Sequence, residues 1–203
     1  NEDVRIAAWT TTPWTLPSNT ALCAGPDISY IKIKTSNPYT HTPVSVVLAE
    51  ALVPNWFGGK NQSTVEGQSA AFKGSKMKGI RYEPLLDFGN EIEPLLGGTD
   101  AYLVLTGDHV TTSDGTGIVH TAPSFGADDQ RVAKANGVGT LTLVDQTGKF
   151  KENVGPYSGR YVKDYKDEPG YVAVDIDIAI QLKTEGKALN VQKYEHNYPH
   201  CWR

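Results

Sequence analysis

The sequence predicts a mixed, strand-rich domain with two modest helices, and three kinds of observation support this prediction. The 203 residues include 20 glycines and 12 prolines, which indicates many turns and short elements. Residues 30–34 alternate apolar and basic side chains, as a half-buried strand does. Residues 127–136 and 175–185 contain helix formers, and each run is followed by a glycine that can end a helix.

The other elements are predicted from apolar runs bounded by turn residues. Residues 49–56 form a brief helix, residues 58–78 form a surface loop, and the tail at 188–203 begins as a strand. The helix at 175–185 is predicted to bury one face, which contains Ile176, Ala179, Ile180 and Leu182. The remaining strands are predicted at residues 4–10, 44–48, 101–106, 117–121 and 141–144.

Composition and charge restrict the class of protein. Hydrophobic residues make up 39% and charged residues 21%, which fits a globular domain and excludes a disordered chain. The net charge is −4. Extensive contact with a nucleic-acid backbone requires a basic surface, so we do not expect such contact here. Contact with RNA should therefore be local, or supported by other parts of a larger protein.

Location and processing are also predicted from the sequence. The chain has no apolar run near the roughly 18 residues of a spanning helix, so we expect no membrane contact. Cys23 and Cys201 lie far apart, which favours reduced thiols in a cytoplasmic protein. Because the chain begins with Asn1 and its one methionine is Met77, we expect residues 1–203 to be one domain cut from a longer polypeptide.

The first motif with chemical potential lies between Trp9 and Asn19. Three consecutive threonines, Thr10 to Thr12, follow a predicted strand and precede Pro13. Hydroxyl and backbone N–H groups at such a corner can hold a water molecule or a carbonyl oxygen. The alternative is structural, because threonines favour strands and prolines end them.

The second motif lies between Gly115 and Asp129. A strand that ends near His120 turns through a proline and a glycine into a helix that begins with Asp128 and Asp129. One of these carboxylates could simply stabilise the helix N-terminus, but that role does not require both. His120, Ser124 and Asp129 could form a catalytic triad, although the Gly-x-Ser-x-Gly signature is absent.

Two cofactor hypotheses find little support. His196, His200 and Cys201 could bind zinc, but a fourth ligand is missing nearby, so no metal site is expected. The chain has neither a P-loop nor a Gly-x-Gly-x-x-Gly motif. We therefore expect no cofactor for this chain itself.

Together the two motifs resemble the editing insertion of class I aminoacyl-tRNA synthetases for branched aliphatic amino acids. The run Trp-Thr-Thr-Thr-Pro-Trp-Thr-Leu-Pro-Ser-Asn at 9–19 is similar to the isoleucine enzymes, as is His-Thr-Ala-Pro at 120–123. Valine and leucine relatives typically carry Arg and Glu where this chain has Thr12 and Trp14. The tail at 194–203 resembles the segment that returns to the synthetic core, whereas residues 58–98 match only loosely and their role stays open.

The resemblance implies a fold and an activity. The expected fold is a β-barrel core with a few peripheral α-helices, and residues 1–203 would be a single editing domain. The implied reaction is hydrolysis of valine wrongly attached to isoleucine tRNA, with valyl-adenylate as a further candidate substrate. The parent enzyme would join isoleucine to its tRNA with ATP, and this chain lacks the adenylate-forming signatures. Its partners would be the 3′-terminal aminoacyl-adenosine of isoleucine tRNA and the catalytic core of the parent.

The resemblance also implies roles for individual residues. Asp129 would pair with the α-ammonium group of the substrate, and Thr11 and Thr12 would place the attacking water and the ester carbonyl. His120 would lie against the side-chain pocket and exclude isoleucine, and Asn19 would hold the loop or contact the terminal adenosine. No residue stands out as a general base. The remaining substrate-binding residues would be Trp9, Thr10, Thr15, Thr121 and Ala122.

Three other functions remain open at this point. The chain could be the editing domain of a valine or leucine enzyme, although Thr12 and Trp14 oppose this. It could be a module without catalytic activity that binds aminoacyl-tRNA ends, because its acidic charge fits weak RNA contact equally well. It could also be a small-molecule hydrolase that uses His120 and Ser124.

Overall fold

The computed structural model describes residues 2–59, 62–163 and 173–193. Their strands form two sheets, with few helices around them. The predicted aromatic tail at 194–203, with His196, His200 and Cys201, lies outside the described residues. None of the helices in the described ranges is long and apolar enough to span a membrane.

The larger sheet is built on a long antiparallel pair, β3 with β4, and β1 runs parallel to β4 at its edge. In β3, Ile31 and Ile33 are buried on one face while Lys34 is exposed on the other, as the alternating sequence predicts for a strand with one solvated face. Tyr30, at the start of that other face, is buried in a separate core cluster. The two shortest strands pair with β3 on its other side. The strands of this sheet are β1 (Val4–Ile6), β3 (Ser29–Ser36), β4 (Pro43–Ala49), β5 (Gly67–Gln68) and β6 (Phe72–Lys73).

The smaller sheet has three strands and carries the motifs of interest. Its central strand, β2 (Ala21–Ala24), is buried at every position. It pairs in parallel with β7 (Leu103–Thr106) and antiparallel with β8 (Ile118–Thr121). Within the described residues no closed barrel is found, so the barrel implied by the resemblance is unconfirmed.

The described residues contain three helices at predicted positions, and the shortest lies within the brief helix predicted at 49–56. The helix α2 (Ala127–Ala135) packs Val132 and Ala133 into the core cluster that contains Ala21 and Cys23 of β2. The helix α3 (Val174–Thr184) packs against the cluster that contains Leu16. The helix α1 (Val53–Trp56) is a single turn. Four 3₁₀ turns complete the regular structure of the described ranges: Pro13–Ser18, Glu50–Leu52, Gly74–Met77 and Gly155–Tyr157.

Several predictions about elements are wrong. Residues 58–78 are not only a loop, because β5, β6 and a 3₁₀ turn lie there and pair with or pack near β3. Residues 141–144 form no strand; only Val144 makes an isolated bridge, to Phe150. Residues 188–193, the described start of the tail, also form no strand. In the last two cases the apolar residues pack into a core cluster from irregular backbone, which periodicity alone does not reveal.

The predicted buried face of α3 is right for Leu182 and wrong for Ile176 and Ile180. Val174, Ile178 and Leu182 are buried, whereas Ile176 and Ile180 are 54% and 55% exposed. Both sets are spaced four residues apart, so each makes a row along one side of the helix. The helix carries apolar residues on two sides, and the row that faces Leu16 and Val154 is the one that packs.

Candidate active site

Both ends of the threonine run are fixed to the same strand. Trp9 bridges to Val119 of β8, and its N–H donates to the carbonyl of Ile118 at 3.2 Å. The chain then turns through the 3₁₀ segment Pro13–Ser18 and returns as β2, which places Leu22 opposite His120. The threonines therefore lie beside β8 because the chain pairs with it before and after them.

The second motif continues past the end of β8 as a turn that leads into α2. The N–H of Phe125 donates to the carbonyl of Ala122 at 2.9 Å, which closes a tight turn ahead of α2. The Asp129 side chain folds back from the first turn of α2, and its Oδ2 accepts the N–H of Ala122 at 2.9 Å. This contact holds the carboxylate at the end of β8, next to the threonines.

The two motifs line one open cleft of about 300 Å³. Most of the predicted site residues lie on it, whereas Asn19 and Thr121 are buried behind it. Val119 and Phe125 also line the cleft, and the sequence analysis missed them. Phe125 carried a sequence signal, because it lies in the predicted turn of the second motif. In the structure its ring meets that of Trp14 edge to face, with 5.0 Å between the ring centroids. The lining residues are Trp9, Thr10, Thr11, Thr12, Thr15, Val119, His120, Ala122, Phe125 and Asp129.

Hydrogen bonds within the threonine corner fix its shape. The N–H of Thr12 donates to Oγ1 of Thr10 at 3.0 Å, and both the N–H and the hydroxyl of Thr15 donate to the carbonyl of Thr12, at 3.1 and 2.9 Å. From α3, Asp175 accepts the N–H of Trp14 at 2.7 Å. The hydroxyl of Thr11 has no hydrogen bond to another part of the described chain, so it can bind a ligand or water.

His120 lies in β8 and forms one wall of the cleft, beside the threonine corner. It is 8% exposed, and its Nε2 lies 2.9 Å from Oγ1 of Thr15. On the other edge of the ring, Nδ1 lies 2.8 Å from Nδ2 of Asn19. Burial lowers the pKa of His120 to about 4, so the ring is neutral at pH 7.

Asp128 and Asp129 have opposite surroundings. Asp128 is exposed and forms an ion pair with Arg131 at 3.2 Å. Asp129 faces the cleft and forms no ion pair within the described residues. Burial raises the pKa of the Asp129 carboxyl, and the Ala122 N–H partly opposes this effect. Asp128 is therefore the carboxylate at the helix surface, and Asp129 is the one available to a cation in the cleft.

The catalytic triad is not assembled. The hydroxyl of Ser124 lies 2.6 Å from that of Thr140 and 2.8 Å from that of Thr142, and no contact joins it to His120. Both ring nitrogens of His120 already have partners in Thr15 and Asn19. The structure therefore does not support a small-molecule hydrolase, because Ser124 has no hydrogen bond to His120 that could activate it as a nucleophile. No group of three potential metal ligands occurs in the described part of the chain, and the zinc candidates of the tail lie outside it.

Comparison with known proteins shows close relatives over the whole chain. It is 42% identical to an isoleucine–tRNA ligase of Cytophaga hutchinsonii, over 100% of this chain and 21% of the relative. Those of Porphyromonas gingivalis and Treponema denticola are 39% and 42% identical over 99% of this chain, and 21% and 18% of their own lengths. The chain thus spans about a fifth of these relatives. A search of family models found no match.

Solved structures show the same fold at low identity. The crystal structure of GlLeuRS-CP1 matches with a TM-score of 0.62 at 18% identity, over 96% of this chain and 86% of that one. The editing domain of the cytosolic leucyl-tRNA synthetase of P. falciparum matches with a TM-score of 0.56 at 10% identity, over 92% and 77%. The chain belongs to the isoleucine–tRNA ligase family, as a segment with the fold of a synthetase editing domain.

Proposed function

We propose that this cleft hydrolyses the ester bond of valine wrongly attached to isoleucine tRNA. The supporting observation is the position of Asp129, a carboxylate without an ion-pair partner in the described chain that faces the threonine corner across one small cleft. An aminoacyl ester carries an α-ammonium group close to its carbonyl carbon. A charge-assisted bond from that ammonium to Asp129 would hold the ester against the threonines.

Catalysis would rest on positioning and electrostatics. Thr11 and Thr12 both line the cleft, and their hydroxyl groups would orient a water molecule and the ester carbonyl. His120 is a poor general base, because it is buried, its pKa is lowered and both of its nitrogens are hydrogen-bonded. Holding the two reactants in line can supply a large part of the rate enhancement without a base.

The substrate would be selected by size. Valine and isoleucine differ by one methylene, and isoleucine enzymes are themselves the standard example of a pocket that discriminates this by only about 1–3 kcal/mol. A second cleft that admits valine and excludes isoleucine supplies the missing selectivity. The ring of His120 forms a wall of this cleft together with Val119 and Phe125, which supports a steric role for it.

The full reaction places this chain within a larger enzyme. The parent would join isoleucine to its tRNA with ATP at a separate site, and its synthetic core would hold most of the tRNA. This chain would contact the 3′-terminal aminoacyl-adenosine, in keeping with its net charge of −4. Valyl-adenylate is a further candidate substrate, since it presents the same α-ammonium group and a similar carbonyl.

The test is a deacylation assay on the intact synthetase with valyl- and isoleucyl-tRNA. The wild type should hydrolyse valyl-tRNA and spare isoleucyl-tRNA. His120→Ala should raise the hydrolysis of isoleucyl-tRNA by about tenfold or more, because opening one methylene of space is worth about 1–3 kcal/mol. If isoleucyl-tRNA stays as resistant as in the wild type, the steric role of His120 is wrong. A wild type that hydrolyses neither substrate would refute the proposed function itself.

A further inference from the structure

Tyr82 reaches the site from the part of the chain whose role the sequence left open. Its ring is partly buried and packs edge to face against Tyr102, with 6.1 Å between the ring centroids. Its hydroxyl lies 2.5 Å from Oδ1 of Asn19. Asn19 in turn contacts Nδ1 of His120 at 2.8 Å. A single residue therefore separates Tyr82 from the wall of the cleft.

The surroundings of Asn19 fix the orientation of its amide. Its Nδ2 faces the carbonyl oxygens of Ala21 at 2.8 Å and Thr121 at 3.3 Å, and these oxygens can only accept. Its Oδ1 therefore faces Tyr82, whose hydroxyl donates to it. Burial raises the pKa of Tyr82, so the phenol keeps the proton that it donates.

This orientation sets every proton in the chain of bonds. The two protons of the Asn19 amide go to its two acceptors at 2.8 Å, the Ala21 carbonyl and Nδ1 of His120, whereas the Thr121 carbonyl is more distant at 3.3 Å. The neutral ring therefore carries its proton on Nε2. Nε2–H then donates to the hydroxyl oxygen of Thr15. That hydroxyl donates to the carbonyl of Thr12, within the corner that lines the cleft. The His120 ring is thus held at both edges, by the corner on one side and by the Tyr82–Asn19 pair on the other.

We propose that Tyr82 is a specificity-positioning residue, which acts through Asn19 to hold the His120 ring against the cleft. The inference rests on the proposed function, because it assigns the ring's fixed position to the exclusion of isoleucine. Without the phenol hydroxyl, Oδ1 of Asn19 would be a buried acceptor with no donor, and the amide would turn or shift to find one. The ring would then lose its fixed Nδ1 partner. It could move away from the cleft and make room for the additional methylene of isoleucine.

The test compares Tyr82→Phe with Tyr102→Phe in the intact synthetase. Each variant removes one phenol hydroxyl from the same pair of rings, and the hydroxyl that bonds Asn19 is that of Tyr82. The ratio of isoleucyl-tRNA to valyl-tRNA hydrolysis should rise about fivefold in Tyr82→Phe, the equivalent of about 1 kcal/mol for one hydrogen bond. It should stay at the wild-type value in Tyr102→Phe. A merely structural role for Tyr82 would lower both rates and leave the ratio unchanged.

A double-mutant cycle tests whether Tyr82 acts through His120. In a His120→Ala background the wall is already absent, so adding Tyr82→Phe should not change the ratio further. An unchanged ratio in Tyr82→Phe alone, or a fivefold rise that persists in the His120→Ala background, would overturn this inference and leave the proposed function standing. If the wild type does not hydrolyse valyl-tRNA, the proposed function fails and the inference fails with it.

Discussion

Single residues in this site owe their properties to what surrounds them, and His120 is the clearest case. An ordinary histidine titrates near pH 6.5, but burial lowers the pKa of His120 to about 4. Its two ring nitrogens are both hydrogen-bonded, to Thr15 and Asn19. The His120 ring is therefore neutral and held in a fixed position in the wall of the cleft. A histidine that acts as a base needs a free nitrogen and a pKa near the working pH.

The lowered pKa of His120 predicts how stability depends on pH. The unfolded chain takes up the proton near pH 6.5, whereas the folded chain resists it until about pH 4. The contribution of His120 to stability is therefore complete above pH 6.5 and lost as the pH falls toward 4, by about 3 kcal/mol. Chemical unfolding of the wild type and of His120→Gln at pH 7 and pH 4.5 measures this loss.

The free energy of unfolding should fall less steeply with acid in His120→Gln than in the wild type. The control is His41→Asn, which removes an exposed histidine whose backbone lies in the left-handed region that asparagine tolerates. Its pH dependence should match that of the wild type. Equal slopes for the wild type and His120→Gln would show that His120 is not buried in its neutral form.

The sequence identified most residues of the cleft because they are close together in two short runs. The run from Trp9 to Thr15 lies beside β8, because Trp9 bridges to β8 and the chain after the run pairs with it as β2. The run from His120 to Asp129 begins in β8 itself, so this one strand positions both runs. Tyr82 carries no such signal, since its contact with Asn19 joins residues 63 positions apart. The resemblance selected Asp129 over Asp128, and the coordinates supply the physical difference, because Asp128 forms an exposed ion pair whereas Asp129 bonds the Ala122 N–H at the cleft.

Elements were predictable where the sequence shows a clear alternation or a long apolar run. The alternation of β3 revealed that strand, and the apolar run of β4 revealed another, although β4 is buried on both faces. The four-residue strand β2, also buried on both faces, shows no alternation and was missed. The helix α3 was predicted, but its buried face was assigned to the wrong side, because apolar residues occupy two of its sides. Periodicity reports that a row is apolar and cannot choose between two apolar rows.

The corrected face of α3 can be tested with a matched pair of substitutions. Ile178 is fully buried in the cluster that also holds Leu16, and Ile180 is 55% exposed on the same helix. Ile178→Ala should reduce the free energy of unfolding by about 2–5 kcal/mol, through lost burial and the cavity that remains. Ile180→Ala should change it by about 0.5 kcal/mol or less. Denaturant titration measures both, and a larger loss for Ile180→Ala would contradict the packing of α3.

At the scale of the whole molecule, the fold brings the two motifs to one side of a small sheet. The residues between them, from Thr20 to Asp114, build most of both sheets and of the core clusters that support the cleft. The chain spans about a fifth of the related ligases, and its acidic charge leaves room for only local contact with RNA. Assays of the proposed reaction therefore belong in the intact synthetase.

The most direct measurement is the rate of valyl-tRNA hydrolysis by the intact synthetase carrying Asp129→Ala or Asp128→Ala. The two carboxylates are adjacent, but only Asp129 faces the cleft, and the exposed ion pair of Asp128 contributes little. We expect Asp129→Ala to lower the rate by about a hundredfold or more, because the substrate ammonium loses its charged partner. Asp128→Ala should stay within about twofold of the wild type. Near-normal hydrolysis by Asp129→Ala, or an equal loss in both variants, would contradict the proposed site.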